Sequence, residues 1–156
     1  MKRINIAIAA SLAILALCPF SFPQTGPPMQ PGEFDHQAIH VRDLQKSVAF
    51  YENVLGLKRM PDPFKDGSHV WFRIGAHDQL HIISGATDLA KQDLHVHMSF
   101  RVPSLADFIN RLDQMRVKYV NSKGEERKIM VRPDGVKLVF FQDPDGYWIE
   151  VNDAKL

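Results

Sequence analysis

The chain has 156 residues, 45% of them apolar and 24% charged, enough for one good hydrophobic core and too few for two independent ones. Its 19 basic and 18 acidic residues give a formal charge of +1. Lys2 and Arg3 fall in a segment expected to be removed, which leaves 17 basic against 18 acidic residues, and there is no basic stripe with interleaved aromatics to suggest a nucleic-acid partner.

The amino terminus is unlike the rest. Met1-Lys2-Arg3 is a short basic head, Ile4 to Leu17 is an apolar run of fourteen residues, and Cys18-Pro19-Phe20-Ser21-Phe22-Pro23 follows. This layout reads as a secretory signal over residues 1–23, and the run is short for a permanent bilayer span. The expectation is a periplasmic or secreted protein with no membrane attachment after signal removal. Cys18 is the single cysteine, so the mature domain needs no disulfide. Residues 24–32 (QTGPPMQPG) hold three prolines and two glycines with almost nothing to bury, as a linker does.

From residue 33 the chain alternates. In Asp35 to Val41, His36, Ala38 and His40 take one face of a strand, while Gln37, Ile39 and Val41 take the other. Asp43 caps a helix over 44–55, with Leu44, Val48, Tyr51 and Leu55 as its apolar stripe and Gly56 as its stop. Strand-like runs follow at Leu57–Met60, His69–Ile74 and Gln79–Ser84, and 85–93 reads as a surface connector.

The same order then repeats. His95 to Val102 is a second such strand: aligned on Val41 and Val102, it sets His97 opposite His36 and Arg101 opposite His40. Pro103-Ser104 opens a helix from Leu105 to about Val117, with Leu105, Phe108, Ile109, Leu112 and Met115 apolar. Beyond it come Tyr119–Asn121, a charged loop, Lys128–Val131, and a hairpin of Val136–Gln142 with Tyr147–Asn152 across the turn Asp143-Pro144-Asp145-Gly146. In the last strand Trp148, Glu150 and Asn152 share a face. The duplicated unit, about 33–85 and 94–153, predicts an α+β fold in which His36 and His97 can share a metal ion if their strands face one cavity.

Two stretches carry a family likeness. The pattern D-H-x-A-I-x-V-x-D-L-x-x-S-x-x-F-Y-x-x-V-L-G-L from Asp35 to Leu57, with F-x-D-P-D-G-Y-x-I-E from Phe141 to Glu150, resembles the vicinal oxygen chelate superfamily, the glyoxalase, bleomycin-resistance and extradiol-dioxygenase group. The resemblance implies two βαβββ modules forming a curled mixed sheet around a metal-binding cavity, within a domain over 33–156. Position by position it implies His36, His97 and Glu150 as a two-histidine, one-carboxylate ligand set, with His81 where glyoxalase-type members place a fourth ligand. Such a set suits Zn, Ni, Mn, Co or Fe(II) with positions open to substrate.

The resemblance also implies Glu150 as the proton-shuttling base. His40 and Arg101 are expected in the pocket wall, Arg101 to meet an anionic substrate group, and Trp71, Phe72, Arg73 and Trp148 as further lining. His69 and His77 fit a surface role, and the turn chemistry of 143–146 accounts for its acids. The function expected is a metal-dependent lyase or isomerase like lactoylglutathione lyase, acting on a small oxygen-chelating substrate. Alternatives are an Fe(II) extradiol dioxygenase using three ligands, or a resistance protein that modifies or sequesters an antibiotic. Relatives of this length often build each cavity from modules of two chains, so a homodimer is a further expectation.

Overall fold

The computed structural model describes Gln30–Lys155; the expected signal segment 1–23 and most of the linker lie outside the described residues. Pro31 and Gly32 carry no regular structure, and no helix among the described residues is long and apolar enough to cross a membrane.

The first module runs β1 (His36–Val41), α1 (Leu44–Asn53), β2 (Lys58–Met60), β3 (His69–Arg73) and β4 (Gln79–Ser84). The second runs β5 (His97–Arg101), α2 (Leu105–Gln114), β6 (Tyr119–Val120), β7 (Met130–Val131), β8 (Lys137–Gln142) and β9 (Trp148–Asn152). Each module makes one mixed sheet, ordered β1-β4-β3-β2 and β5-β9-β8-β6, and in each the first strand pairs in parallel with the last. The fold is α+β and the duplication is real.

Local chemistry sets the helix ends. The Asp43 carboxylate accepts the Lys46 N–H at 3.0 Å, and the Ser104 hydroxyl accepts that of Asp107 at 3.2 Å, each satisfying one of the free donors of a helix start. Gly56, at φ +71°, reverses the chain after α1. The second helix stops at Gln114, short of the expected Val117. There Arg116 takes a left-handed φ of +56°, Val117 N donates to Leu112 O at 2.8 Å and Arg116 N donates to Asp113 O at 3.1 Å, a Schellman ending built without glycine. Met115 consequently leaves the apolar face it was assigned and is 40% exposed.

One strand also differs from expectation. The fifth starts at His97, because Asp93 accepts the His95 N–H at 2.8 Å and holds His95 in a turn. The edge of the second sheet is split: Asn121 Oδ1 accepts N–H groups from Lys123 and Glu125, looping the chain out so that β6 and β7 pair separately with β8.

Both modules bury one continuous core on their helix sides, from Ile39, Val41, Tyr51 and Phe72 to Phe108, Phe141, Ile149 and Val151. Phe141 is shared, 6.2 Å from Phe50 and 5.8 Å from Phe108 between ring centres. The β8–β9 turn reaches from the second module into the first. Tyr51 Oη donates to Asp143 Oδ2 at 3.0 Å inside the core, Ser47 Oγ to Asp145 Oδ2 at 3.1 Å, and Tyr147 Oη to the His40 carbonyl at 3.0 Å. Asp145 is also paired with Arg42 at 3.3 Å. The other oxygen of Asp143 accepts the N–H groups of Asp145 and Tyr147, so one buried carboxylate both shapes the turn and binds the neighbouring module.

Burial raises the Asp143 pKa above the usual carboxylate range, and burial together with Asp143 holds Tyr51 protonated. Because the folded pKa of Asp143 lies above its unfolded value, its contribution to stability is fully present below the unfolded carboxylate range and is lost as pH rises through the folded value. Tyr51→Phe removes a donor from that buried oxygen and is expected to cost about 1–3 kcal/mol near neutral pH. Denaturant melts at several pH values check this: the deficit should shrink on acidification, as the carboxylate takes up its own proton.

Candidate metal centre

Strand alternation sends Ile39 and Val41 into the core, leaving His36 and His40 on the opposite face. In the fourth strand Leu80 and Ile82 are fully buried toward the helices, and His81, between them, lies on the same side as His36. The His36 and His81 rings stack at 4.3 Å, and Trp71, the strand partner of His81, stacks on it at 3.8 Å. The second sheet repeats the plan: Ile149 and Val151 are buried, and Glu150 meets His97 with Oε2 3.5 Å from Nε2.

The register makes the equivalence exact in sequence terms. Ala38, two residues after His36, pairs with His81; Ser99, two residues after His97, pairs with Glu150. His81 therefore occupies in the first module the place that Glu150 occupies in the second.

Each candidate ligand has one donor atom tied by a hydrogen bond and the other without one among the described residues. His36 Nδ1 lies 2.6 Å from Asp35 Oδ2, His97 Nδ1 lies 2.8 Å from the Leu94 carbonyl, and His81 Nε2 lies 2.9 Å from Gln79 Oε1. Such partners fix the tautomer and ring angle of metal-binding histidines. Glu150 is held through Oε1, by Ser99 and Asn152 at 2.8 Å each. Burial, and next the nearby His36, lowers the His81 pKa, so this imidazole is neutral at pH 7 and has a lone pair to give. By chemistry the set of three imidazoles and a carboxylate fits a divalent transition ion.

The four come together as two pairs, His36 with His81 and His97 with Glu150; among the described residues, no three His, Cys, Asp or Glu side chains gather closely enough to hold an ion. The other expected residues lie at varying distances from this chemistry. Arg101 lines a cleft of about 670 Å³ with His97, Ser99 and Asn152. His40 turns its Nε2 to the Ser84 carbonyl at 3.1 Å. Arg73 donates to the Ala76 carbonyl at 2.8 Å and serves its own turn. Trp148 pairs with His97 in the register and donates from its indole to Gln92 O at 3.1 Å, pinning the inter-module connector. Phe72 is fully buried in the core, which removes it from the expected lining because its strand neighbour Trp71 takes the site face.

Asp35, Gln79, Ser99 and Asn152, the groups that steady the four donors, were not singled out by sequence reasoning. Parity already put Ser99 with His97 and Asn152 with Glu150; the missing signal was the register that sets them side by side.

Residues 33–151 match the model of the Glyoxalase/Bleomycin resistance protein/Dioxygenase superfamily. A lactoylglutathione lyase of Salmonella typhimurium is 28% identical over 128 residues, covering 77% of this chain and 91% of the relative. The metallothiol transferase FosB of Lysinibacillus sphaericus is 27% identical over 126 residues, covering 78% and 82% respectively. Among solved structures, oxidase ChaP-H2 superimposes with a TM-score of 0.66 at 19% identity, over 81% of this chain and 96% of that one.

A depressed histidine pKa means that stability is fully present above the ordinary histidine range and is lost as pH falls through the folded value. Metal-free protein should therefore lose stability between about pH 7 and pH 5 more steeply than His81→Gln does. Thermal melts across that window, with imidazole NMR titration placing His81 below the ordinary histidine range, measure both.

Proposed function

Because this chain belongs to the glyoxalase/bleomycin resistance protein/dioxygenase superfamily, we propose that it is a metal-dependent lyase or isomerase of glyoxalase type, acting on a small substrate with two neighbouring oxygens. The observation that carries this reading is the duplicated donor pair: His36 with His81 and His97 with Glu150, each steadied on one side and free on the other. A bound divalent ion would supply Lewis-acid polarisation of the substrate oxygens and stabilise negative charge developing on them.

The chain supplies the remainder. His36, His81, His97 and Glu150 would hold the ion. Glu150 Oε2, the oxygen without a hydrogen-bond donor among the described residues, would accept a substrate proton once it has left the ion and return that proton to the neighbouring carbon. Arg101 in the cleft binds an anionic group of the substrate. Trp71 backs His81 and limits its rotation.

Three further points belong to this reading. A lactoylglutathione lyase is among the relatives, but export of the kind expected from residues 1–23 would separate the enzyme from the cytoplasmic thiol pool, so a substrate other than a glutathione adduct fits better. The stacked His36–His81 pair favours a four-donor centre over a three-donor dioxygenase site that would leave His81 idle. The separation of the two pairs within one chain supports a centre completed by two copies, the first pair of one chain meeting the second pair of the other.

Protein purified without chelators should carry stoichiometric divalent metal, and His97→Ala should lower the affinity by at least about 100-fold, beyond the 10–100-fold typical of outer-shell changes. Metal-free wild type, or unchanged occupancy in the variant, would overturn the metalloenzyme reading in favour of a sequestering protein. Fe(II)-dependent oxygen uptake with catechols would replace it with dioxygenase chemistry.

Mixing His36→Ala chains with Glu150→Ala chains tests the assembly. A two-copy centre regains metal in mixed dimers because one of the two sites is then intact, whereas a single-chain centre regains none.

A further inference from the structure

We propose that Ser99 and Asn152 are positioning residues that clamp one oxygen of Glu150, so that the carboxylate offers only Oε2 to the metal and to the substrate. The inference rests on the metalloenzyme reading above and deepens it at one ligand.

The clamp is a closed triangle of hydrogen bonds. Ser99 Oγ donates to Glu150 Oε1 at 2.8 Å, Asn152 Nδ2 donates to the same oxygen at 2.8 Å, and Asn152 Nδ2 also donates to Ser99 Oγ at 3.0 Å. Directions are forced. The Ala154 N–H donates to Asn152 Oδ1 at 3.1 Å, which fixes the amide with its nitrogen toward Ser99 and Glu150. The serine hydroxyl, accepting from that nitrogen, spends its proton on the carboxylate. Asn152 is only 6% exposed, so its amide cannot easily turn to water instead.

Two charge-assisted donors on Oε1 leave Oε2 as the oxygen facing His97 Nε2, 3.5 Å away. A carboxylate so held binds an ion through a single oxygen, because swinging Oε1 in as a second ligand would break both bonds.

The duplication supplies an internal control. By register, the first-module counterpart of Ser99 is Ala38, paired with His81, and the counterpart of Asn152 is Ile83, paired with His40. Neither can donate a side-chain hydrogen bond, and the ligand there is an imidazole steadied by Gln79 instead. The clamp thus accompanies the carboxylate and is no by-product of the repeated strand pair. Satisfying a half-buried acceptor would account for one donor; two donors converging on the same oxygen while the other stays free is the geometry of a directed ligand.

Cobalt(II) alone is the probe, titrated into metal-free full-length wild type, Ser99→Ala, Asn152→Ala and Ser99→Thr, with affinity and the visible ligand-field bands as readouts. Ser99→Ala and Asn152→Ala should weaken binding by about 10–100-fold and change the bands as the carboxylate becomes free to chelate. Ser99→Thr, which keeps the hydroxyl on a strand, should restore both. Ser99 is exposed on an edge strand, so its alanine variant folds and carries the test even where Asn152→Ala does not. Alanine variants with wild-type affinity and bands overturn the clamp and leave the metalloenzyme reading standing. Wild type that takes up no cobalt overturns that reading, and the clamp with it.

Discussion

The Asp143 carboxylate is the group on which the arrangement of this molecule depends. Its two oxygens serve two levels of structure at once: Oδ1 closes the β8–β9 turn through the N–H groups of Asp145 and Tyr147, and Oδ2 receives the Tyr51 hydroxyl from the other module. A buried carboxylate is costly to desolvate unless its lone pairs are used, and here three donors use them. The last strand leaves this turn directly, so the depth at which Glu150 stands beside His97 is set by how the turn is seated against α1. Without the seating, the two similar modules would share little beyond apolar contacts around Phe141 and one long hydrogen bond from Arg111 to the Val54 carbonyl at 3.4 Å, and apolar contacts tolerate sliding in a way that oriented hydrogen bonds do not.

Much of this was legible in the sequence because the relevant signals are short-range and periodic. A strand shows its two faces through alternation alone, so His36 and His97 could be matched, and Glu150 placed on the open face, from residue order. The Asp143-Pro144-Asp145-Gly146 segment announced a turn through its own chemistry. What alternation does not carry is which strand lies next to which, and at what offset. The partnership of Ser99 with Glu150, and the equivalence of His81 and Glu150, are facts of register and appear only when β1 pairs with β4 and β5 with β9. The same limit explains why Asp143 read as a turn former and not as a tie between modules: the partner hydroxyl lies 92 residues away.

Errors at element ends have local causes. Arg116 accepts a left-handed conformation usually given to glycine and so stops α2 early, exposing Met115. Phe72 sits beside Trp71 in the chain yet lies in the core, one residue of parity away from the site. The family to which the chain belongs includes lyases, thiol transferases and dioxygenases, and the differences among such chemistries lie in donor identity and open coordination positions more than in the scaffold.

Seen as charge, the duplication is unequal. The first module presents two imidazoles, His36 and a His81 whose burial disfavours its protonation, whereas the second presents one imidazole and one carboxylate. A divalent ion in that company would be neutralised only by half, with one positive charge left over. A second carboxylate in place of His81 would cancel it. With an ion bound, nitrogen in place of oxygen at that one position would make the pocket a stronger attractor of anionic oxygens and a stronger acid toward whatever water or substrate it held, a property that the pairing of two near-identical strands alone does not reveal.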